Sequence, residues 1–126
     1  MNLTNFLTEV CTYLQYSSIG TVAVDIFRNT MPASPINCVA VYASGGPRSV
    51  DDPLVRPTLQ VLIRNSDSSS GRTKTDSVFS VLDDKWNFLT TFQGRCIADH
   101  QPGPNYRDQD NNVIYTLNFN CTFKEL

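Results

Sequence analysis

The sequence predicts an α+β domain, with a mixed, mainly antiparallel sheet of about five strands and two helices packed on it. Three observations carry this expectation. Residues 3–16 repeat apolar side chains at three- and four-residue steps, as an amphipathic helix does. Residues 113–123 alternate apolar and polar side chains without a break, as a half-buried strand does. Between them, a second helical stripe follows one β-branched run and precedes another short strand, an order that predicts a crossover onto the same sheet.

In chain order, Leu3, Phe6, Leu7, Val10, Cys11 and Leu14 form the stripe of the first helix, with Asn2 as its N-cap, and residues 17–20 break it. Residues 21–27 alternate, with Val22, Val24 and Ile26 on one face, and read as a strand. Residues 38–43 are a β-branched run suited to a second strand. A turn-rich connection, residues 44–57, follows, with Pro47, Pro53, Pro57 and a glycine pair. Residues 58–64 give a third strand with Leu59, Val61 and Ile63 on one face. Residues 65–71 read as a polar turn, and residues 72–89 as the second helix, carrying Val78, Phe79, Leu82, Trp86 and Leu89. Residues 93–98 form a short fourth strand, and a long polar loop, residues 101–112, leads to the last one.

That last strand is the clearest local signal. Val113, Tyr115, Leu117, Phe119, Cys121 and Phe123 share one face, and Ile114, Thr116, Asn118, Asn120 and Thr122 the other. It contains no Lys, Glu, Pro or Gly to discourage edge pairing. It is therefore either central in the sheet or paired at its far end with another chain.

A length of 126 residues fits one domain, residues 1–126. Charged residues make up 17%, below the roughly 25% usual for globular domains, so much of the surface is neutral and polar. Such a surface suits a protein that packs against neighbours. A net charge of −2, with three lysines and seven arginines scattered along the chain, argues against a dedicated nucleic-acid binder. No apolar run approaches the roughly 20 residues of a membrane span, and the first residues have no charged leader followed by an apolar stretch. Cys11, Cys38, Cys96 and Cys121 are too far apart for a Cys-x-x-Cys motif, and each lies in an apolar pattern. They read as small buried hydrophobes, with disulfides as the alternative.

Chemistry finds no anchor. His100, the single histidine, stands beside Asp99 and reads as an ordinary surface pair, with no nucleophile motif and too few partners for a metal. Asp51-Asp52 and Asp83-Asp84 are adjacent pairs whose side chains diverge. Residues 70–75 lack the spacing of a phosphate loop. The expectation is a chain that is not an enzyme, with no catalytic residue, cofactor or metal.

Two stretches carry a family resemblance. The first is the Gly- and Asp-containing loop leading into Arg56-Pro57-Thr58-Leu59-Gln60-Val61 and ending at Arg64. The second is the polar loop with Pro102, Gly103 and Asp108-Gln109-Asp110 that leads to the final strand with Asn118-Phe119. The chain resembles the minor capsid and tail-terminator (head–tail joining) proteins of long-tailed bacteriophages. The resemblance implies a virion protein of the phage neck, present in the host cytoplasm during assembly. It implies a homo-oligomeric ring, usually a hexamer, that caps the head-proximal end of the tail tube, stops its growth and meets the head-completion or connector protein. DNA passes through such a ring without specific binding. The contact residues expected are loop charges that belong to no core face: Arg48, Asp51, Asp52 and Arg56 in the first loop, Arg64 at the strand end, and Arg107, Asp108 and Asp110 in the second loop. Two rival readings stand beside it, another neck or tail-completion component and a cytosolic monomeric binding module.

Overall fold

The computed structural model describes residues 1–47, 51 and 53–126. Two helices, α1 (Leu3–Tyr16) and α2 (Ser68–Leu82), lie against one face of an eight-stranded sheet. Its strands are β1 (Ile26–Arg28), β2 (Cys38–Ser44), β3 (Leu54–Val55), β4 (Thr58–Asn65), β5 (Lys85–Trp86), β6 (Phe92–Ala98), β7 (Tyr106–Arg107) and β8 (Val113–Glu125). The α+β class agrees with the sequence, and the strand number is eight where about five were expected. The three additional strands, β3, β5 and β7, are two residues each, too short to leave any periodicity in the sequence.

β8 is the axis of the sheet. The main order is β1-β2-β4-β8-β6-β5, with β3 and β7 also paired to β8. One side of β8 meets β4 over residues 113–120 and β3 at Phe123 and Lys124. The other side meets β7 at Val113 and Ile114 and β6 over residues 119–125. Of the two sequence expectations for this strand, the central position holds. Because β4 and β6 both run antiparallel to β8, they are parallel to each other, and α2 is the crossover that joins them over the central strand. Among the strands of the described residues, β1 pairs in parallel, at the edge, with β2.

The core follows from the alternation. Val39, Val41, Leu59, Val61, Ile63, Tyr115, Leu117, Phe119, Cys121 and Phe123 point to the helical face and are buried. From α1 they meet Phe6, Leu7, Val10, Cys11 and Leu14, the stripe read from the sequence, and from α2 Val78 and Leu82. Phe6 lies 5.8 Å from both Phe92 and Phe123, ring centre to ring centre, an edge-on and tilted aromatic cluster that closes one end of this layer. Asn2 caps α1 as expected, its side chain accepting from the Asn5 amide at 3.0 Å.

Two elements differ from the sequence reading. The expected strand 21–27 shrinks to Ile26–Arg28, since Thr21 O accepts from the amides of Val24, Asp25 and Ile26, and Asp25 Oδ1 accepts from the Thr21 amide at 2.6 Å. These bonds coil residues 21–25 into a turn and leave Val22 and Val24 exposed. The second helix starts four residues earlier and stops seven earlier than residues 72–89. Asp67 caps it, its side chain accepting from the Ser70 amide at 2.8 Å, so the serine run forms the first turn. It ends at the extended Asp83 and the left-handed Asp84 (φ 53°). Trp86 therefore leaves the helix for β5 and is exposed, with the Arg95 guanidinium 5.4 Å above its ring.

Candidate functional site: an uncharged sheet face with a charged pole at each end

With both helices on one face, the opposite face of β2, β4 and β8 carries the alternate side chains. Three cross-strand rows cross it: Ala40, Leu62 and Thr116; Tyr42, Gln60 and Asn118; Ser44, Thr58 and Asn120. None of these nine side chains is charged. Gln60 Nε2 donates to Asn118 Oδ1 at 3.3 Å, and together with Tyr42, Ala43, Ser44 and Thr58 they line a shallow depression on this face. Tyr106 on β7 stands opposite Ile114, more than half exposed, and continues the face beyond β8. Burial pushes the Tyr42 hydroxyl above its ordinary range, with Cys38 and Tyr106 adding to the effect and Arg64 opposing it.

The charges expected as contacts divide between the two ends of β8. Arg56 connects β3 to β4, and Pro57 O accepts from the Cys121 amide, which fixes Arg56 beside the C-terminal half of β8. Arg107 pairs with Val113 and Arg64 with Ile114, at the N-terminal end. The eight residue steps from Val113 to Cys121 place the two groups about 27 Å apart along the strand. Arg56 and Asp51 are exposed. Arg48 and Asp52 lie outside the described residues.

At the N-terminal pole the residues have different roles. Arg107 is exposed and donates to Asn111 O at 2.9 Å; Asp110 is exposed. Asp108 is partly buried and builds the turn, its Oδ1 accepting from the amides of Asp110 and Asn112 at 2.9 Å each. Arg64 is 8% exposed and is held within its own chain. Its guanidinium donates to Ile36 O at 2.9 Å, to Pro35 O at 3.0 Å and to Pro32 O, so it anchors the connection between β1 and β2. Nothing in the sequence distinguishes a strand-end arginine facing outward from one that gathers carbonyls.

The sequence reading placed Thr116 on the second face of the final strand but did not single out Tyr42, Gln60, Leu62 or Tyr106 as surface-forming residues. The signal available was the uncharged second face of the final strand, which β2 and β4 extend in register. His100 and Asp99 are both exposed and point to different partners, Nδ1 of His100 lying 3.1 Å from Gln101 O and Asp99 accepting from Asn120 Nδ2. Among the described residues no group of His, Cys, Asp or Glu is clustered to hold a metal ion, and no helix is long and apolar enough to cross a membrane.

A small α+β domain with its helices on one side of a mixed sheet, and an uncharged patch across β2, β4 and β8 on the other, has the features of a protein that packs against neighbours. A family model described as bacteriophage tail terminator protein matches residues 13–125, and the chain belongs to that family. It is a structural protein of the phage tail and virion. No curated protein matches it. Among solved structures, one protein aligns with a TM-score of 0.67 and 11% identity, covering 100% of this chain and 98% of the other. A chain from the virion of a native gene transfer agent particle aligns with a TM-score of 0.61 and 12% identity, covering 93% and 92%. At these identities the two likenesses establish the fold.

Proposed function

We propose that this chain, acting as one tail-terminator-like domain over residues 1–126, closes into a ring of identical subunits at the head-proximal end of the tail tube. The ring ends tube polymerisation and joins the tail to the head connector. The observation that carries this reading is the separation of surfaces within a member of the tail terminator family. An uncharged face lies between two exposed charged poles about 27 Å apart. A ring subunit needs distinct surfaces of this kind. Heterologous contacts pair two different patches on neighbouring copies, and the two rims of the ring meet different partners.

In this arrangement the self-contact is dominated by neutral side chains, which cost less to desolvate than charged ones. The poles, with Asp51 and Arg56 at one end and Arg107, Asp108 and Asp110 at the other, meet the tail tube protein and the head-completion protein; Arg48 and Asp52, outside the described residues, are proposed as contacts from their place in the sequence alone. Arg64 acts from inside, by holding the 29–37 connection. The net charge of −2 supports a lumen that does not retain phosphates, so DNA slides through unread. The ring is expected to be a hexamer.

Charge reversal tests the assignment of the poles. Arg56→Glu and Asp52→Lys are expected to fold and to block the joining of heads to tails when supplied in place of the wild type. Wild-type yields of joined particles from both variants would remove that pole from the contact surface.

A further inference from the structure

Cys96 on β6 and Cys121 on β8 are register partners in the antiparallel ladder, and both are buried on the helical face. The ladder bonds fix which kind of pair they form. The Asp99 amide donates to Asn118 O at 3.0 Å, and the Leu126 amide to Thr91 O at 2.8 Å. Bonded pairs recur at every second position, so 97 with 120 and 95 with 122 are bonded pairs, and 96 with 121 is a non-bonded pair. The Cys121 amide confirms this independently, since it donates away from β6 to Pro57 O at 3.0 Å. Non-bonded pairs bring Cα atoms to about 4.5 Å, inside the range that a disulfide spans. As register partners on one face the two thiols stand opposite each other, and both cysteines are free.

We propose that Cys96 and Cys121 are a latent cross-strand disulfide, closed by exchange with a low-molecular-weight disulfide once the protein is outside a reducing compartment. In the first step a cysteine thiolate attacks one sulfur of the small disulfide and releases one small thiol, its own proton passing to the leaving thiolate. In the second, the partner cysteine attacks the protein sulfur of this mixed disulfide and releases the second small thiol. Two protein thiols are oxidised to one cystine, and one small disulfide is reduced to two thiols.

The surroundings set when this happens. Contact with Cys121, burial and the nearby Asp83 all push the Cys96 thiol up, so the thiolate is scarce. The pair stays reduced in a cytosol, and it closes slowly where disulfides persist. Closure would tie the C-terminal arm of β8 to β6. Cys11 and Cys38 have no such register partner: Cys11 lies on α1, outside the ladder, and Cys38 on β2 is paired with Arg64.

The test uses the full chain, incubated with oxidised glutathione, with remaining thiols trapped by N-ethylmaleimide and the digest read by mass spectrometry. The expected result is a peptide joining Cys96 to Cys121, two hydrogens lighter than its parts, with Cys11 and Cys38 alkylated. The oxidised chain is also expected to melt at a higher temperature, a gain that dithiothreitol reverses. The same treatment in mild urea opens the β6–β8 ladder to the reagent. If no 96–121 link forms there either, and glutathione adducts or four alkylated cysteines are found, the proposal is overturned. A link involving Cys11 or Cys38 in the native chain would also overturn it. The Cys11→Ser, Cys38→Ser double variant must still form the link, and Cys96→Ser must not.

Discussion

Gln60 on β4 and Asn118 on β8 are register partners, joined by a side-chain hydrogen bond of 3.3 Å on the sheet face that no helix covers. They come from the two separate stretches of sequence that carry the family resemblance, 58 residues apart. The fold brings these stretches together as adjacent strands, and the neighbour of each, Leu59 and Phe119, lies in the core. Asn118→Lys places a charge in the middle of the neutral face. An exposed cross-strand pair contributes about 0.2–1 kcal/mol, so urea unfolding should change by no more than that. Self-association, read by native mass spectrometry, should be lost. Undiminished assembly would show that this face is not a subunit contact.

Arg64 should behave in the opposite way. Removing its guanidinium in Arg64→Ala leaves carbonyls of Ile36 and Pro35 without their donor. Hydrogen bonds from a charged donor contribute about 1.5–3 kcal/mol. The variant should be destabilised by that amount in urea denaturation. Arg64→Lys should recover only part of it, because one ammonium cannot reach the same fork of acceptors.

Gly94 cannot be replaced without loss. It has φ +154°, and a Cβ there would fall 2.0 Å from Thr122 O and 2.9 Å from Phe123 Cα, its register partner on β8. Gly94→Ala should lower stability by about 1–3 kcal/mol, the usual size of a strained backbone position. Its thermal midpoint should fall accordingly.

Phe123 makes the largest single contribution expected at the C-terminal half of β8. It is fully buried and touches the rings of Phe6, Phe88 and Phe92 at 5.8–6.1 Å. Phe123→Ala should cost about 3–5 kcal/mol. Phe123→Leu should cost much less in the same urea titration.

Glu9 provides a pH signature. Its Oε1 accepts from the Thr90 amide at 2.6 Å, the Thr90 hydroxyl at 2.7 Å and the Thr91 amide at 2.9 Å, tying α1 to the connection before β6. Burial pushes its pKa upward, but the bonds from Thr91 and Thr90 outweigh this and hold it below the ordinary value. A lowered folded-state pKa means stability that is present above the unfolded value, about 4.3, and is lost as pH falls through the folded value. The stability difference between wild type and Glu9→Gln should therefore be constant near neutrality and shrink below about pH 4. A difference independent of pH from 3 to 7 would contradict this role.

The parts of this fold legible in the sequence are those with a long repeat. α1, β2, β4 and β8 each bury a face of several side chains, and so each leaves its period in the chain. The two-residue strands β3, β5 and β7 do not, because they form only where a loop is zipped against a neighbouring strand. The serine run before Gly71 misled for a different reason. Serine favours both turns and first helical turns, and Asp67 as a cap decides between them. At the candidate site, loop charges were legible by position, but the burial of Arg64 was not, since its partners are main-chain carbonyls without a sequence signature.

The central claim is that this chain ends a tail tube, and electron microscopy of tubes assembled from the purified tail tube protein tests it most directly. With the chain present, tubes should carry a ring at one end and stop lengthening; without it, they should overrun. Bare tube ends and unchanged growth, with the chain remaining monomeric at high concentration, would contradict the account.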